Sequence, residues 1–151
     1  MTPRILFVCL GNICRSPTAE AVLRALAEAA GQSLELDSAG TGDWHVGKPP
    51  YPPAIRAGAL RGYDLTALRA RQVTPEDFGR FDLILAMDES NLAALERLRP
   101  EGDETPVRLL LDYAPPGGPR EVPDPYFTGD FEEALDLIEA AGRGLLEELR
   151  R

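Results

Sequence analysis

Short segments of apolar or alternating residues recur along this chain, separated by longer segments with helical spacing. Four of the short segments predict β-strands, at residues 5–8, 33–40, 81–87 and 107–111. The longer segments predict helices, over residues 18–30, 54–61, 90–98 and 131–149, and a short helix whose cap and first turn are residues 74–77. Because strands and helices alternate, we expect an α/β fold with right-handed crossovers. The expected architecture is a single-domain, three-layer sandwich with helices on both faces of a four-stranded parallel sheet.

Two segments rich in glycine and proline are predicted to be loops, at residues 41–53 and 115–127. In a parallel sheet of this kind, ligands bind at the carboxyl ends of the strands. Cys9, Ser38 and Asp88 each lie at the carboxyl end of a predicted strand. We therefore expect these three residues to come together at one edge of the sheet.

Composition limits the classes of function. The 151 residues, 44% of them hydrophobic and 27% charged, suit one domain over residues 1–151. No apolar run is long enough to span a membrane and no signal peptide is recognisable, so we expect a cytoplasmic protein with no membrane partner. The formal charge of −9 repels nucleic acid. Two cysteines and one histidine suit neither a disulfide framework nor a metal site, and we expect no metal and no cofactor.

The most informative segment is Cys-Leu-Gly-Asn-Ile-Cys-Arg-Ser-Pro, at residues 9–17. It joins the first predicted strand to the first predicted helix, with Ser16 as the predicted N-cap and Pro17 as the first helical residue. Backbone N–H groups of such a turn converge with the positive end of the helix dipole, where an oxyanion binds. Arg15 adds a planar cation suited to gripping two oxygens of a phosphate. The residues expected to bind phosphate are Leu10, Gly11, Asn12, Ile13, Cys14, Arg15 and Ser16.

Cys9 lies at the foot of this loop and is the candidate nucleophile. The donors that hold a phosphate also stabilise a thiolate, which is the reactive form of cysteine. The alternative is a structural cysteine buried at a glycine turn. Asn12 suits the left-handed backbone conformation that a tight anion-binding loop is expected to need, although it also suits an ordinary turn.

A thiolate that displaces an aryl oxygen from phosphorus benefits from a proton donor for the leaving group. Asp124 is the candidate general acid, because Pro123 and Pro125 on either side stiffen the backbone and aim the side chain. The charges of a nearby thiolate and phosphate would keep this acid protonated long enough to donate. The alternative is an Asp-Pro pair that only begins a turn.

The spacing Cys-x5-Arg-Ser resembles the phosphate loop of the cysteine-based tyrosine phosphatases. Residues 9–17, which follow a strand near the N-terminus, resemble specifically the low molecular weight class of these enzymes. The Asp-Pro-Tyr segment at residues 124–126 is similar to the late segment that carries the general acid of that family. Further similar segments lie at residues 37–41, 70–72 and 86–91, so the resemblance covers essentially the whole chain.

This resemblance implies hydrolysis of phosphotyrosine monoesters on proteins, in two steps and with inorganic phosphate as product. Cys9 would attack phosphorus while Arg15 and the N–H groups of the loop hold the oxygens. Asp124 would first protonate the tyrosine oxygen and then activate water. The hydroxyl of Ser16 would donate to the sulfur of Cys9 and make it a better leaving group in the second step. The expected partners are phosphotyrosine proteins or peptides, and we expect a monomer.

The resemblance also implies which residues support the loop. Ser38 would hydrogen-bond Asn12, while Asp88 and Asn91 belong to a similar segment beside the site. One departure concerns the same region, because Leu68 stands where the family often carries a histidine. A hydrogen bond from that position to the loop is therefore not expected.

The two predicted loops carry the residues expected to line the substrate pocket, which are Trp44, His45, Tyr126 and Phe127. Aromatic walls around a deep slot would favour phosphotyrosine over the shorter phosphoserine. The alternative is that these side chains pack locally. Tyr51, on the first loop, stands where an aspartate is common in the family.

Cys14 is the second cysteine of the loop. In the family, a reversible disulfide with the nucleophile protects it from over-oxidation, so the resemblance implies a disulfide between Cys9 and Cys14. A small buried side chain is the alternative for Cys14.

Three other functions are considered. A protein-arginine phosphatase of the same fold typically has threonine where this chain has Ile13, which is bulkier and apolar and favours an aryl phosphate. A thiol arsenate reductase of this fold needs further cysteines, and residues 80–100 contain none. A non-catalytic phosphate-binding module would need neither the thiol of Cys9 nor the acid of Asp124.

Overall fold

The computed structural model describes residues 2–151. Its four strands are β1 (Arg4–Cys9), β2 (Glu35–Gly40), β3 (Leu83–Ala86) and β4 (Val107–Leu109). They form one parallel sheet in the order β2-β1-β3-β4. β1 is central and follows the pattern of a strand covered on both faces, because Ile5 and each residue after it in the strand are buried.

Six helices and one 3₁₀ helix connect and cover the strands. They are α1 (Arg15–Ala29), α2 (Pro52–Leu60), α3 (Asp77–Arg80), α4 (Glu89–Leu98), α5 (Pro125–Thr128), α6 (Phe131–Leu149) and the 3₁₀ helix Leu110–Tyr113. None of the helices described is both long and apolar enough to cross a membrane. The predicted α/β fold with a four-stranded parallel sheet is confirmed.

The side chains of β1 alternate between two hydrophobic clusters, as the period of a strand requires. Ile5 and Phe7 belong to the cluster that α1 and α6 complete, whereas Leu6 and Val8 belong to the cluster that includes Leu95 of α4. α1 and α6 also pack against each other on their side of the sheet. The three-layer arrangement therefore follows directly from the apolar character of β1.

The start of α1 differs from the prediction. The helix begins at Arg15, so Ser16 is not its N-cap and Pro17 is its third residue. Cys14 occupies the N-cap position, and its side chain makes no capping hydrogen bond. The hydroxyl of Ser16 is engaged by side chains of the preceding loop instead. Pro17 is tolerated because a nitrogen in the first turn has no partner within the helix.

The second predicted loop, residues 115–127, ends in the one-turn helix α5. Asp124 is the N-cap of α5, and its carboxylate accepts a hydrogen bond from the N–H of Tyr126 at 3.1 Å. β3 is shorter than predicted because the N–H of Phe81 closes α3. β4 is shorter because the chain turns at once into the 3₁₀ helix Leu110–Tyr113. The other predicted ends differ from the observed ones by a few residues, and α6 has the predicted bounds.

Gly144 allows α6 to approach the 3₁₀ helix, because a Cβ built on it would overlap the carbonyl oxygen of Tyr113. We expect Gly144→Ala to lower the free energy of unfolding by about 1–3 kcal/mol, the usual cost of overpacking. Gly79→Ala is the matched control, since nothing lies within 4 Å of a Cβ at Gly79. Urea denaturation of both variants measures the difference. Equal stability of Gly144→Ala and the unsubstituted protein would contradict the expectation.

Candidate active site

The carboxyl end of β1 runs directly into the loop of residues 9–15, which leads into α1. Cys9 ends the strand and is only 3% exposed. The N–H of Asn12 is directed at the sulfur of Cys9, at 3.2 Å. A thiolate accepts such a donor, so the loop offers Cys9 a partner suited to its reactive form.

Asn12 holds the loop in its shape. Its φ of 57° lies in the left-handed region, and it is the only non-glycine residue with a positive φ among residues 2–151. Its Nδ2 donates to the hydroxyls of Ser16 and Ser38, at 2.7 and 3.0 Å. Its Oδ1 accepts from the backbone N–H of Arg71 at 3.0 Å. Both donors of the amide are therefore used, and they tie the loop to β2 and to the start of α1.

Ser16 connects Asn12 to the sulfur. Its Oγ lies 3.0 Å from the sulfur of Cys9, compared with 3.4 Å from the carbonyl oxygen of Ala39. Because Oγ already accepts a hydrogen bond from the side-chain Nδ2 of Asn12, its single proton is left for the sulfur or for the more distant carbonyl oxygen. A thiolate has no proton of its own, so Ser16 is then the donor to Cys9.

A buried carboxylate ends this network and was not predicted from the sequence. The hydroxyl of Ser38 donates to Glu20 at 2.8 Å, and Glu20 pairs with Arg24 at 2.7 Å. Glu20 is only 4% exposed. The available signal was its spacing on α1, where Ser16, Glu20 and Arg24 lie on one face at intervals of one turn.

Arg15 is a buried cation, 3% exposed, with two carboxylate partners. Its Nη1 donates to Asp88 at 2.7 Å and to the carbonyl oxygen of Val122 at 3.0 Å, and its Nη2 donates to Asp124 at 3.4 Å. Burial opposes the charge, but Cys9 and the two aspartates outweigh it and raise the pKa of Arg15 above its ordinary value. Its Nε is buried and has no hydrogen-bond partner among the residues described.

Asp88 and Asn91 differ in how they reach the site. Asp88 is the N-cap of α4 and shares its carboxylate between Arg15 and the backbone N–H of Asn91, at 2.7 Å each. Asn91 is buried, and no hydrogen bond within residues 2–151 joins it to the loop of residues 9–15. Asp88 therefore contacts the loop directly, whereas Asn91 acts on it only through Asp88.

Asp124 enters the site from the segment that begins α5. One of its carboxylate oxygens accepts the N–H of Tyr126 and the other faces Arg15. The side chain is 22% exposed, and it lines the same cavity as Cys9. The structure thus brings Cys9, Arg15 and Asp124 together from segments more than a hundred residues apart.

The cavity has a volume of about 260 Å³ and largely apolar walls. Its lining residues are Cys9, Leu10, Gly11, Ile13, Cys14, Trp44, His45, Asp124, Tyr126 and Phe127. The four residues expected on the walls from the sequence are therefore all present. Trp44 is 65% exposed and Phe127 is 75% exposed, so aromatic rings stand at the mouth and the thiol lies at the floor.

The two cysteines of the loop are chemically distinct. Both are free and buried. Burial, together with the negative charges of Asp124 and Cys9, raises the pKa of Cys14 to about 12, although Arg15 opposes the shift. Cys14 is therefore a neutral thiol near pH 7.

Leu68 fills a small apolar cluster that lies beside the loop. It packs against buried residues that include Ile13, Cys14 and Ala70. An apolar side chain at this position supports the loop by packing and supplies no hydrogen bond to it.

We expect iodoacetamide at pH 7 to label Cys9 and to leave Cys14 unlabelled, because a thiol with a pKa of about 12 is almost entirely protonated there. Peptide mass spectrometry locates the label, and inorganic phosphate should slow its incorporation. Cys9→Ser is the control, which should take up label only after denaturation. Equal labelling of both cysteines in the native protein would contradict the distinction.

Comparisons with known proteins agree with this geometry. Residues 4–151 match the family model described as low molecular weight phosphotyrosine protein phosphatase. A low molecular weight protein-tyrosine-phosphatase of Streptomyces coelicolor is 50% identical, over 99% of this chain and 95% of its own length.

Solved structures agree as well. The crystal structure of YfkJ from Bacillus subtilis has a TM-score of 0.95 at 40% identity, over 99% of this chain and 96% of that one. A crystal structure titled DARP, drosophila arginine phosphatase, has a TM-score of 0.91 at 34% identity, over 97% and 98% of the two chains. The chain therefore belongs to the low molecular weight phosphotyrosine protein phosphatase family, whose members are cysteine-dependent hydrolases.

Proposed function

We propose that this enzyme hydrolyses phosphotyrosine monoesters on proteins through a phosphocysteine intermediate. The observation that carries the proposal is that Cys9 and Asp124 line one cavity with aromatic walls, while the buried guanidinium of Arg15 contacts Asp124 at 3.4 Å. A thiol, a clamp for oxygens and an acid are the three groups that such a transfer needs.

In the first step, the thiolate of Cys9 attacks phosphorus in line with the leaving oxygen. The backbone N–H groups of residues 10–15 and the guanidinium of Arg15 hold the other oxygens as their charge redistributes. The buried Nε of Arg15, which has no partner within the described chain, is one donor for this purpose. Asp88 holds Nη1, so the guanidinium is oriented before substrate arrives.

Asp124 supplies the proton for the leaving tyrosine oxygen as the P–O bond breaks. Its carboxyl group lies 3.4 Å from the guanidinium of Arg15. A phosphate dianion bound by the loop competes for that guanidinium and places negative charge beside the carboxyl group. Substrate binding therefore prepares Asp124 to act as an acid.

In the second step, Asp124 takes a proton from water, which attacks phosphorus and breaks the S–P bond. The products are inorganic phosphate and the thiolate of Cys9. Ser16 donates to the departing sulfur, at the 3.0 Å separation already present. A hydrogen bond to the developing thiolate lowers the barrier of this step.

The walls of the cavity favour an aryl phosphate. A phenyl ring reaching the thiol passes between Trp44 and Tyr126, which stand on opposite loops around the mouth. Phosphoserine is too short to use those walls.

A protein-arginine phosphatase is the second candidate, since one structure similar to this chain is titled an arginine phosphatase. Ile13 lines the cavity with an apolar side chain. Because isoleucine offers no hydrogen bond to a guanidinium, Ile13 supports tyrosine over arginine as the group that carries the phosphate.

The setting of the enzyme is also part of the proposal. Two cysteines without a disulfide suit a reducing compartment, which supports a cytoplasmic location. One chain supplies the nucleophile, the clamp and the acid, which supports a monomer. The formal charge of −9 argues against nucleic acids as partners.

We further infer that Cys14 protects the nucleophile. Peroxide converts the thiolate of Cys9 to a sulfenic acid, and the thiol of Cys14 displaces its hydroxyl as water to form a disulfide. Both cysteines line the same cavity. The charge of Cys9 is one cause of the raised pKa of Cys14, after burial and Asp124, and oxidation of Cys9 removes it.

Steady-state kinetics with phosphotyrosine, phosphoarginine and phosphoserine peptides test the reaction. We expect turnover of phosphotyrosine, its loss in Cys9→Ser, and a fall in kcat/KM of about 10²–10⁴ in Asp124→Ala, the usual contribution of a general acid. Turnover of phosphoarginine alone would move the enzyme to the second candidate. Binding of phosphopeptides without turnover of any would contradict a catalytic role.

The redox role predicts different recovery after oxidation. The unsubstituted enzyme inactivated by hydrogen peroxide should regain its activity with dithiothreitol, whereas Cys14→Ser should regain only a minor part, because its sulfenic acid proceeds to irreversible oxidation states. Each protein is compared with its own activity before oxidation. Equal recovery of both proteins would remove the proposed role of Cys14.

A further inference from the structure

Tyr51 connects the loop of residues 9–15, called the phosphate loop below, to α5, whose N-cap is Asp124. Tyr51 itself does not line the cavity. It is the N-cap of α2. Its backbone N–H donates to the carbonyl oxygen of Ile13 at 2.8 Å, and its own carbonyl oxygen accepts from Ala54 and Ile55, at 2.8 and 3.1 Å. The backbone of Tyr51 is therefore fixed to the phosphate loop on one side and to α2 on the other.

The ring of Tyr51 contacts the two helices that follow Asp124 in the chain. It packs edge-on against Tyr126, with ring centroids 5.0 Å apart and planes at 63°, and it lies 6.2 Å from the ring of Phe131. Edge-to-face pairs at these distances are favourable beyond the area they bury. Tyr126 belongs to α5 and Phe131 is the first residue of α6, so one ring contacts both helices.

After its N-cap, α5 is held by packing and not by hydrogen bonds from its backbone to other segments. Within the described chain, the backbone N–H groups of Tyr126, Phe127 and Thr128 all donate to Asp124, and none donates to another segment. Tyr126 and Phe127 are substantially exposed. The contacts between the helix and the rest of the protein include the burial of Pro125, the contact of the N-cap Asp124 with Arg15 at 3.4 Å, and the contact between the rings of Tyr126 and Tyr51.

A displacement of Tyr126 would change the position of the Asp124 carboxyl group, because the two residues share a hydrogen bond. The N–H of Tyr126 donates to one carboxylate oxygen of Asp124 at 3.1 Å, while the other oxygen lies 3.4 Å from Arg15. Because the two oxygens have different partners, the orientation of the carboxyl group depends on where Tyr126 lies. The hydroxyl of Tyr51 makes no hydrogen bond within residues 2–151, so only the ring is available for this purpose.

We propose that Tyr51 is a positioning residue for Asp124, holding Tyr126 and α5 so that the acid faces the leaving group. The proposal rests on the proposed role of Asp124 as general acid. Tyr51 acts through Tyr126 and touches neither the substrate nor the reacting atoms. Because the backbone of Tyr51 is hydrogen-bonded to Ile13, the position of Asp124 is fixed relative to the phosphate loop.

A series of aryl phosphates whose leaving groups range from dinitrophenol to phenol tests this role. kcat/KM reports the steps through P–O cleavage, and a positioned acid makes it depend only weakly on the leaving group. We expect Tyr51→Ala to lower kcat/KM about tenfold for phenyl phosphate and less than about threefold for the dinitrophenyl ester. The dependence on leaving-group acidity should therefore steepen towards that of Asp124→Ala.

Matched variants separate positioning from stability. Tyr51→Phe keeps the ring and should restore the shallow dependence. Tyr51→Leu preserves an apolar side chain without the aromatic edge, should steepen the dependence, and serves if Tyr51→Ala does not fold. Leu60→Ala changes a residue of α2 that is 85% exposed and should leave kcat/KM unchanged, and Tm is measured for every variant.

The outcomes are distinct. A uniform loss of kcat/KM across the series, or no loss in either Tyr51→Ala or Tyr51→Leu, would overturn the positioning role while Asp124→Ala still steepens the dependence. If Asp124→Ala itself leaves the dependence shallow, the proposed acid is wrong, and the role of Tyr51 is overturned with it.

Discussion

The left-handed conformation of Asn12 is the constraint on which the site depends. This conformation costs about 1–2 kcal/mol for a residue with a side chain, and each buried hydrogen bond contributes about 1 kcal/mol. Three such bonds, to Ser16, Ser38 and Arg71, offset the strain and hold it in one place. The N–H of Asn12 then points at Cys9. A residue unable to make these bonds would let the backbone relax and remove that donor.

The same geometry explains how an anion site exists in a protein with a formal charge of −9. Arg15 is buried between Asp88 and Asp124, so its charge is matched by nearby carboxylates and does not spread over the surface. In the proposed mechanism, attraction for phosphate comes from oriented N–H groups and from the Nε of Arg15, which has no partner within residues 2–151, and these donors act over a few ångströms. Selectivity therefore depends on a close fit rather than on long-range steering.

Much of this could be predicted from local patterns, but not all. The apolar run of β1 and the spacing of α6 determine those elements, and residues 9–17 carry a recognisable phosphate loop. Ser16 resembles a helix cap, yet the sulfur of Cys9 and the amide of Asn12 compete for its hydroxyl. Glu20 looks like a solvated helical residue until β2 brings Ser38 against it. The pairing of Glu20 with Ser38 joins α1 to β2, and no local pattern contains a contact between two elements.

The contact between Tyr51 and Tyr126 also joins residues far apart in the sequence. It shows that the nucleophile Cys9 and the proposed acid Asp124 are held by different kinds of interaction. Directional hydrogen bonds fix the loop around Cys9, and these tolerate little change. Aromatic packing of Tyr126 against Tyr51 holds the segment that carries Asp124, and packed side chains of similar volume replace one another at modest cost. Sequences that share this loop can therefore shift the acid and the walls of the pocket without disturbing the nucleophile, which gives the fold a route to different leaving groups.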